Sequence, residues 1–373
     1  RWFGSKARAI QAVQLLEAIA LADAGYLALL YVSYAAAASG EPETYVLPLA
    51  FATGERAEQL RRQRPASVVA NLHTSQGEGI LYDAVWRHRF CHALLDVIGQ
   101  GGRFEGTAGD IVASTTSAFA RLRGVLLRDE ILEPAVHGGE QSNTSIFYGD
   151  RLILKLFRRL ESGVNPDLEI GAFLTEKTTF GNAPPVAGAL EYRRQQTEVG
   201  EPVTLALLQA FVPNQGDAWR HTLEVLSVYL ATALAQPAAA APALPLPQQP
   251  LLDLAEAGIP EPVQALSGPY LDSARLLGRR TAELHLALAS DSSDPAFAPE
   301  PFSLAYQQAL QQSMCSLNGR VMHLLRDRLT SLPAAAQAAA QQVLAREAEI
   351  AGRFDSLLER QLSGLRTRIH GDY

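Results

Sequence analysis

Apolar positions recur with two different periods along the chain, and the change between them divides it. Up to about residue 213 they come in short or alternating runs; from Ala218 onward they fall at helical spacing. The first part therefore predicts strands and the second predicts helices. Four runs open the chain, at residues 10–21, 26–34, 44–52 and 67–72, parted by the turn-rich segments Asp23-Ala24-Gly25, Ser39-Gly40-Glu41-Pro42 and Thr53-Gly54. They predict a small antiparallel sheet. Asp83 is then placed to cap a helix whose stripe is Val85, Trp86, Phe90, Leu94, Val97 and Ile98, and the glycines at 99, 101 and 102 end it. Residues 103–136 read as a connecting subdomain that mixes strand and helix.

The middle stretch carries the richest pattern. A polar loop led by Gly138-Gly139 precedes two runs, 145–148 and 151–157, joined by Gly149-Asp150 as a tight hairpin turn. On the second run Leu152, Leu154 and Leu156 share one face, and Ile153, Lys155 and Phe157 share the other. Asn165-Pro166-Asp167 then starts a helix, with an Asn cap, proline at the first helical position and acids at 167 and 169. Residues 191–194 and 203–209 predict two more strands, and 210–214 a hinge. Helices are expected over 219–234, 251–257, 270–289, 304–329 and 334–365. Residues 235–250 hold five prolines and read as an extended loop insertion.

Composition narrows the class. At 373 residues the chain has room for two or three domains, and 47% hydrophobic with 19% charged residues is ordinary for a globular protein. The net charge of −7 argues against nucleic acid or an anionic membrane as the main partner, and no run approaches the roughly 20 apolar residues of a membrane span. Cys91 and Cys315 sit far apart in helical patterns, neither beside an activating base. A disulfide scaffold is not expected, and a cytoplasmic setting is.

A loop and hairpin, a strand lysine, a helix glutamate and a later H-x-D form the order in which protein-kinase-like enzymes hold a nucleotide. Here these are Lys155 to bind phosphates, Glu169 to fix the lysine by an ion pair, and Asp372 in His370-Gly371-Asp372 to take the proton of the attacking hydroxyl. His370 is read as structural support for that loop. Each residue has a plainer reading by itself. Lys155 could snorkel from an edge strand, Glu169 could serve the helix dipole, and Asp372 could pair with Arg368 four residues earlier. The ordered set of three favours the chemical reading. Ser142, Asn143 and Thr144 in the polar loop are expected to cover phosphates, although the loop departs from G-x-G-x-x-G. His285 is expected in a helix core, while Asp217 and Trp219, just past the hinge, could reach a sugar or serve equally well as a helix cap and a core aromatic.

The stretches E-Q-S-N-T-S-I-F-Y-G-D-R-L-I-L-K-L-F-R-R around Lys155, L-L-Q-A-F-V-P-N-Q-G-D-A-W at 207–219, R-T-A-E-L-H-L-A-L-A at 280–289 and R-W-F-G-S-K-A-R at 1–8 resemble bacterial maltokinases. The resemblance implies an α+β fold: an N-terminal antiparallel-sheet cap domain (1–98), an intermediate subdomain and nucleotide-binding lobe with hinge (99–213), and a mostly helical, incomplete C-terminal lobe (214–373). It implies transfer of the γ-phosphoryl of ATP to the anomeric hydroxyl of maltose, with Gln209 and Phe211 at the hinge beside the adenine. It also implies Mg²⁺ held by residues past Tyr373, and a trehalose synthase as fused domain or partner supplying maltose. The chain is therefore expected to be part of a longer polypeptide and weakly active alone. A kinase for an aminoglycoside or another alcohol, or a silent kinase-like module, would keep the same motifs. The octet Arg1–Arg8 has no job derivable from the sequence.

Overall fold

The structure is a computed structural model that describes residues 3–6, 8–35, 41–75, 77–124, 132–137, 143–195, 201–235 and 248–371. The chain forms two compact units, Arg1–Ala287 with His370–Tyr373, and Leu288–Ile369.

The first unit opens with β1 (Ile10–Leu21), β2 (Gly25–Tyr34) and β3 (Glu43–Thr53), then α1 (Gly54–Gln63), β4 (Val68–Thr74) and β5 (Gly77–Asp83). The four expected runs are all strands. Helix α1 and strand β5 were not foreseen: Thr53-Gly54, read as a turn, is instead the start of a helix whose buried residues are Ala57 and Leu60. These strands pair in the order β1-β2-β3-β5-β4. Asp83 does cap, but it caps a single turn at Ala84–Trp86 by accepting from Val85 N at 3.3 Å. The helix proper, α2 (His88–Gln100), begins after it, and Gly101 closes it at φ 62°. Phe90, Leu94, Val97 and Ile98 are buried on the expected stripe.

Next come β6 (Arg103–Glu105), β7 (Gly109–Thr115), α3 (Ser117–Gly124), β8 (Pro134–His137), β9 (Asn143–Tyr148), β10 (Leu152–Phe157), β11 (Arg159–Leu160), α4 (Pro166–Lys177), β12 (Val186–Arg194) and β13 (Val203–Ala210). A seven-stranded sheet runs β6-β7-β12-β13-β10-β9-β8, while β11 crosses to the other sheet and pairs with β3. Strands β12 and β13 lie centrally, so both faces are covered and their sequences read as continuous apolar runs rather than alternations. The β9–β10 hairpin turns at Gly149 with φ 57°, the left-handed backbone that glycine adopts without steric cost. One contiguous apolar cluster joins the two sheets: Leu27, Val46 and Ile80 of the first share it with Ile146, Leu154 and Leu208 of the second.

Polar contacts stitch the same seam. Glu17, 4% exposed, accepts from Tyr192 Oη at 2.6 Å, Ala108 N at 2.8 Å and Thr107 Oγ1 at 3.1 Å. Burial by itself would raise its carboxyl, but these hydrogen bonds hold it below the usual glutamate range. Arg158, immediately after β10 and 1% exposed, donates to Asp83 Oδ2 at 2.7 Å. Two residues of the opening octet also acquire a role. Ser5 and Arg8 donate to Glu43 at 2.9 and 3.3 Å, Tyr34 and Tyr45 donate to the same carboxylate, and Arg8 lies over the Tyr34 ring. Ser5 and Arg8 are thus pinned to the first sheet through Glu43.

Helices α5 (Ala218–Ala235), α6 (Leu251–Glu256), α7 (Glu261–Ser267) and α8 (Tyr270–Leu288) follow; α7 was not foreseen. Asp217 caps α5 through Arg220 N at 2.7 Å. Trp219 is 73% exposed rather than a core aromatic, and His285 is exposed rather than buried. The proline-rich 236–247 lies outside the described residues. In the second unit, β14 (Glu300–Pro301) pairs with β15 (Leu365–Arg366), and α9 (Leu304–Arg328) precedes α10 (Ala334–Ala345) and α11 (Glu347–Asp355). The single helix expected over 334–365 is therefore broken, first at Arg346 and then after Asp355. Gln307, fully buried on α9, ties down the segment after α11 by donating to the carbonyls of Leu357 and Arg360 at 2.6 and 2.9 Å.

Candidate active site

Lys155 sits in the middle of β10, opposite Ser145 of β9 and Leu207 of β13. Its face alternates out of the core as the sequence predicts: Leu152, Leu154 and Leu156 are buried, whereas Ile153, Lys155 and Phe157 are half-covered. Residues directly opposite in an antiparallel ladder share a face. Asn143, Phe147 and Gln209 are therefore on the Lys155 side, since they oppose Phe157 and Ile153.

Helix α4 supplies the wall facing that lysine. Asn165 caps it by accepting from Leu168 N at 3.2 Å, with Pro166 at the first position. Asp167, Ile170, Gly171 and Leu174 then form one stripe at helical spacing, and all four line a cavity of about 250 Å³ with Lys155, Gln209 and His370. The absence of a side chain at Gly171 permits this approach, because a Cβ there would lie 2.5 Å from Val186 Cγ2 on β12.

Lys155 Nζ lies 3.9 Å from Asp167 Oδ2, so its carboxylate partner is Asp167 rather than the expected Glu169. The reason is helical phase. Two residues advance about 200° around the axis, which turns Glu169 off the stripe that faces β10. His370 closes the cavity from the other end of the unit's chain, with Nε2 3.5 Å from Asp167 Oδ1. Its Nδ1 is buried and has no hydrogen-bond partner among the described residues. The histidine expected only to support its loop thus touches the lysine's partner directly. Asp167 was legible as a first-turn acid, but only the packing of α4 on β12 shows which first-turn acid faces the sheet.

The other expected residues divide. Gln209 lines the cavity, and Phe211 packs edge-on against Phe147 with ring centroids 5.6 Å apart, its N donating to Arg151 O at 2.8 Å. Asn143 stays on the Lys155 face. Thr144 does not: it opposes Leu156 on the buried face, is 8% exposed, and its hydroxyl accepts from Arg158 Nε at 2.8 Å. A residue so placed is a prop for the strand, not a phosphate contact. Ser142 and Asp372 lie outside the described residues.

A second cavity of about 500 Å³ adjoins the first through Leu174, Ala183, Pro184 and His370, and is walled by α8 with Leu276, Arg280 and Leu284. Cys91 is inert as a nucleophile, since burial pushes its thiol up to about 12. Among the described residues no group of three or more His, Cys, Asp or Glu side chains is arranged to hold a metal ion, and no helix is long and apolar enough to cross a membrane.

Residues 1–86 match the maltokinase N-terminal cap domain. The chain also superposes on a solved structure described as glucosamine kinase in complex with glucosamine, ADP and inorganic phosphate, with TM-score 0.51 and 16% identity. A second crystal form of glucosamine kinase gives 0.53 and 17%. Each match covers 100% of this chain, which spans 64% of those proteins' length. The chain is thus maltokinase-like over its first 86 residues, and it has the mixed α/β, kinase-like fold of the glucosamine kinases.

Proposed function

We propose that this chain is part of an ATP-dependent sugar kinase that phosphorylates maltose at its anomeric hydroxyl. The observation that carries the reading is the maltokinase cap match at residues 1–86, in the same compact unit as a strand lysine paired to a helix carboxylate. In this reading Lys155 holds the phosphates of ATP as a point charge, and Asp167 keeps its ammonium in the cavity. Gln209 and Phe211 flank the adenine at the hinge, and Asn143 contacts phosphate from β9. Asp372 accepts the proton as the sugar oxygen bonds to the γ-phosphorus and the bond to the ADP oxygen breaks. His370, two residues earlier in the sequence, lies 3.5 Å from Asp167. Mg²⁺, when bound, supplies charge neutralisation on the phosphates; the described residues offer no ligand cluster for it, so no step is assigned through it. Maltose supplied by a trehalose synthase, fused or separate, completes the proposal.

The test is sugar-dependent ADP release by the full natural polypeptide with Mg²⁺, over maltose, glucosamine and an aminoglycoside. Turnover with maltose that Asp372→Asn lowers by about 10³-fold or more supports the reading, a loss within the range for removing a catalytic base. Turnover only with an amino sugar would keep the kinase and replace the substrate, the alternative favoured by the superposition on glucosamine kinase. No turnover with any acceptor would leave a silent interaction module.

A further inference from the structure

A cavity separate from the Lys155 site lies on the cap side of the first unit. It measures about 440 Å³ and is chiefly polar, set between α1, the Ala84–Trp86 turn and edge strand β8. Two guanidiniums face it, Arg56 and Arg64. Neither pairs with a carboxylate among the described residues: Arg56 donates to Gln59 Oε1 at 3.0 Å and to Trp86 O at 3.5 Å, and Arg64 lies 3.8 Å over the Trp86 ring. Both keep donors for another acceptor, because a guanidinium carries five N–H groups. Gln59 and Gln63 add amides, and His88 stands on the rim with Glu133 Oε2 3.2 Å from its Nδ1.

This concentration of cations runs against the charge of the whole chain, which is −7. The arginines at 56, 61, 62 and 64 fall on α1 or at its C-terminal end, and Arg61 is engaged elsewhere, with Glu58 and Asn71. Two forked cations fit a phosphate, whose oxygens they can bind bidentately. The volume is several times what a phosphate group fills and is in the range of small-ligand sites. The remaining walls set the Gln59 and Gln63 amides beside Leu60, Val85, Trp86 and residues 134–136, a lining that offers partners to hydroxyl groups and an apolar surface to the C–H face of a sugar ring.

We infer that this cavity binds a phosphorylated sugar through Arg56 and Arg64, at a site distinct from the one that holds Lys155. Its walls lead toward the candidate active site by two routes. Trp86 belongs to the turn capped by Asp83, which is bonded to Arg158 at the end of β10. Strand β8 pairs with β9, and β9 pairs with β10. A ligand here would thus sit against elements that also set the position of the lysine strand. The inference concerns binding, so it stands whether or not maltose is the acceptor.

The experiment is calorimetric titration of the full polypeptide with glucose 1-phosphate, maltose 1-phosphate and inorganic phosphate, without nucleotide. The expected result is saturable binding of a sugar phosphate that Arg56→Ala/Arg64→Ala weakens by at least about tenfold, the loss expected for charge-assisted hydrogen bonds. Lys155→Ala should leave that binding unchanged. Both arginines are exposed, and unchanged circular dichroism of the double variant checks that it folds. No binding at millimolar ligand overturns the inference. So does equal binding by the arginine variant, loss of binding in Lys155→Ala, or inorganic phosphate binding as tightly as the sugar phosphates.

Discussion

Asp167 and Glu169 show how much one residue's phase decides. Both are acids in the first turn of the same helix, and among the described residues Asp167 is the one that stands 3.9 Å from Lys155 and lines its cavity. The pair is about one-third exposed, so its strength is limited by solvent. Asp167→Asn is expected to weaken nucleotide binding by about threefold to tenfold, whereas Glu169→Gln should change it less; titration with a fluorescent nucleotide separates them. An equal or larger loss in Glu169→Gln would return the role to the glutamate. The sequence made Lys155 legible because period two is unambiguous in a six-residue strand. It left the partner open because helix phase relative to a sheet depends on packing, here on the contact that Gly171 allows against Val186.

Among the elements, the strands were the most readable and the helices the least. β1 to β4, the β9–β10 hairpin and the capped start of α4 each carry their own punctuation of glycine, proline or asparagine. α1 and α7 hold few apolar residues to announce them, and the break at Arg346 falls where neither Gly nor Pro stands nearby. Thr144 marks another limit. Its strand was expected and its polar neighbourhood suggested phosphate, but register sends its hydroxyl to Arg158. Thr144→Val should therefore cost stability, by about 1–3 kcal/mol for an unmet buried donor, while leaving nucleotide affinity nearly unchanged. Urea unfolding and nucleotide titration of the same variant would check both halves.

Across the first unit, two buried acids join the sheets and give opposite kinds of test. Asp83→Asn removes the carboxylate that accepts from the guanidinium of Arg158, 1% exposed, and about 3–5 kcal/mol of stability should be lost. Replacing both by Leu and Met should lose less, because no buried charge then remains. Glu17 titrates below the usual glutamate value of 4.5, so its contribution is present above that pH and lost as the pH falls through its lower folded value. Glu17→Gln should accordingly flatten the fall in stability below about pH 4.5 while lowering stability at neutral pH, as read by thermal melts across pH. A variant whose acid limb matches the parent would remove Glu17 from that account.

The family match ends at residue 86, yet the sheet it contains borrows its last strand from residues 159–160, directly downstream of the lysine strand. An excised cap would therefore carry one open sheet edge along β3 and an Asp83 stripped of Arg158. Grafting it onto another kinase would require transplanting the β10–β11 junction as well. The sheet is thus built from two discontinuous pieces of chain, and any recombination point placed between them would separate strand from sheet.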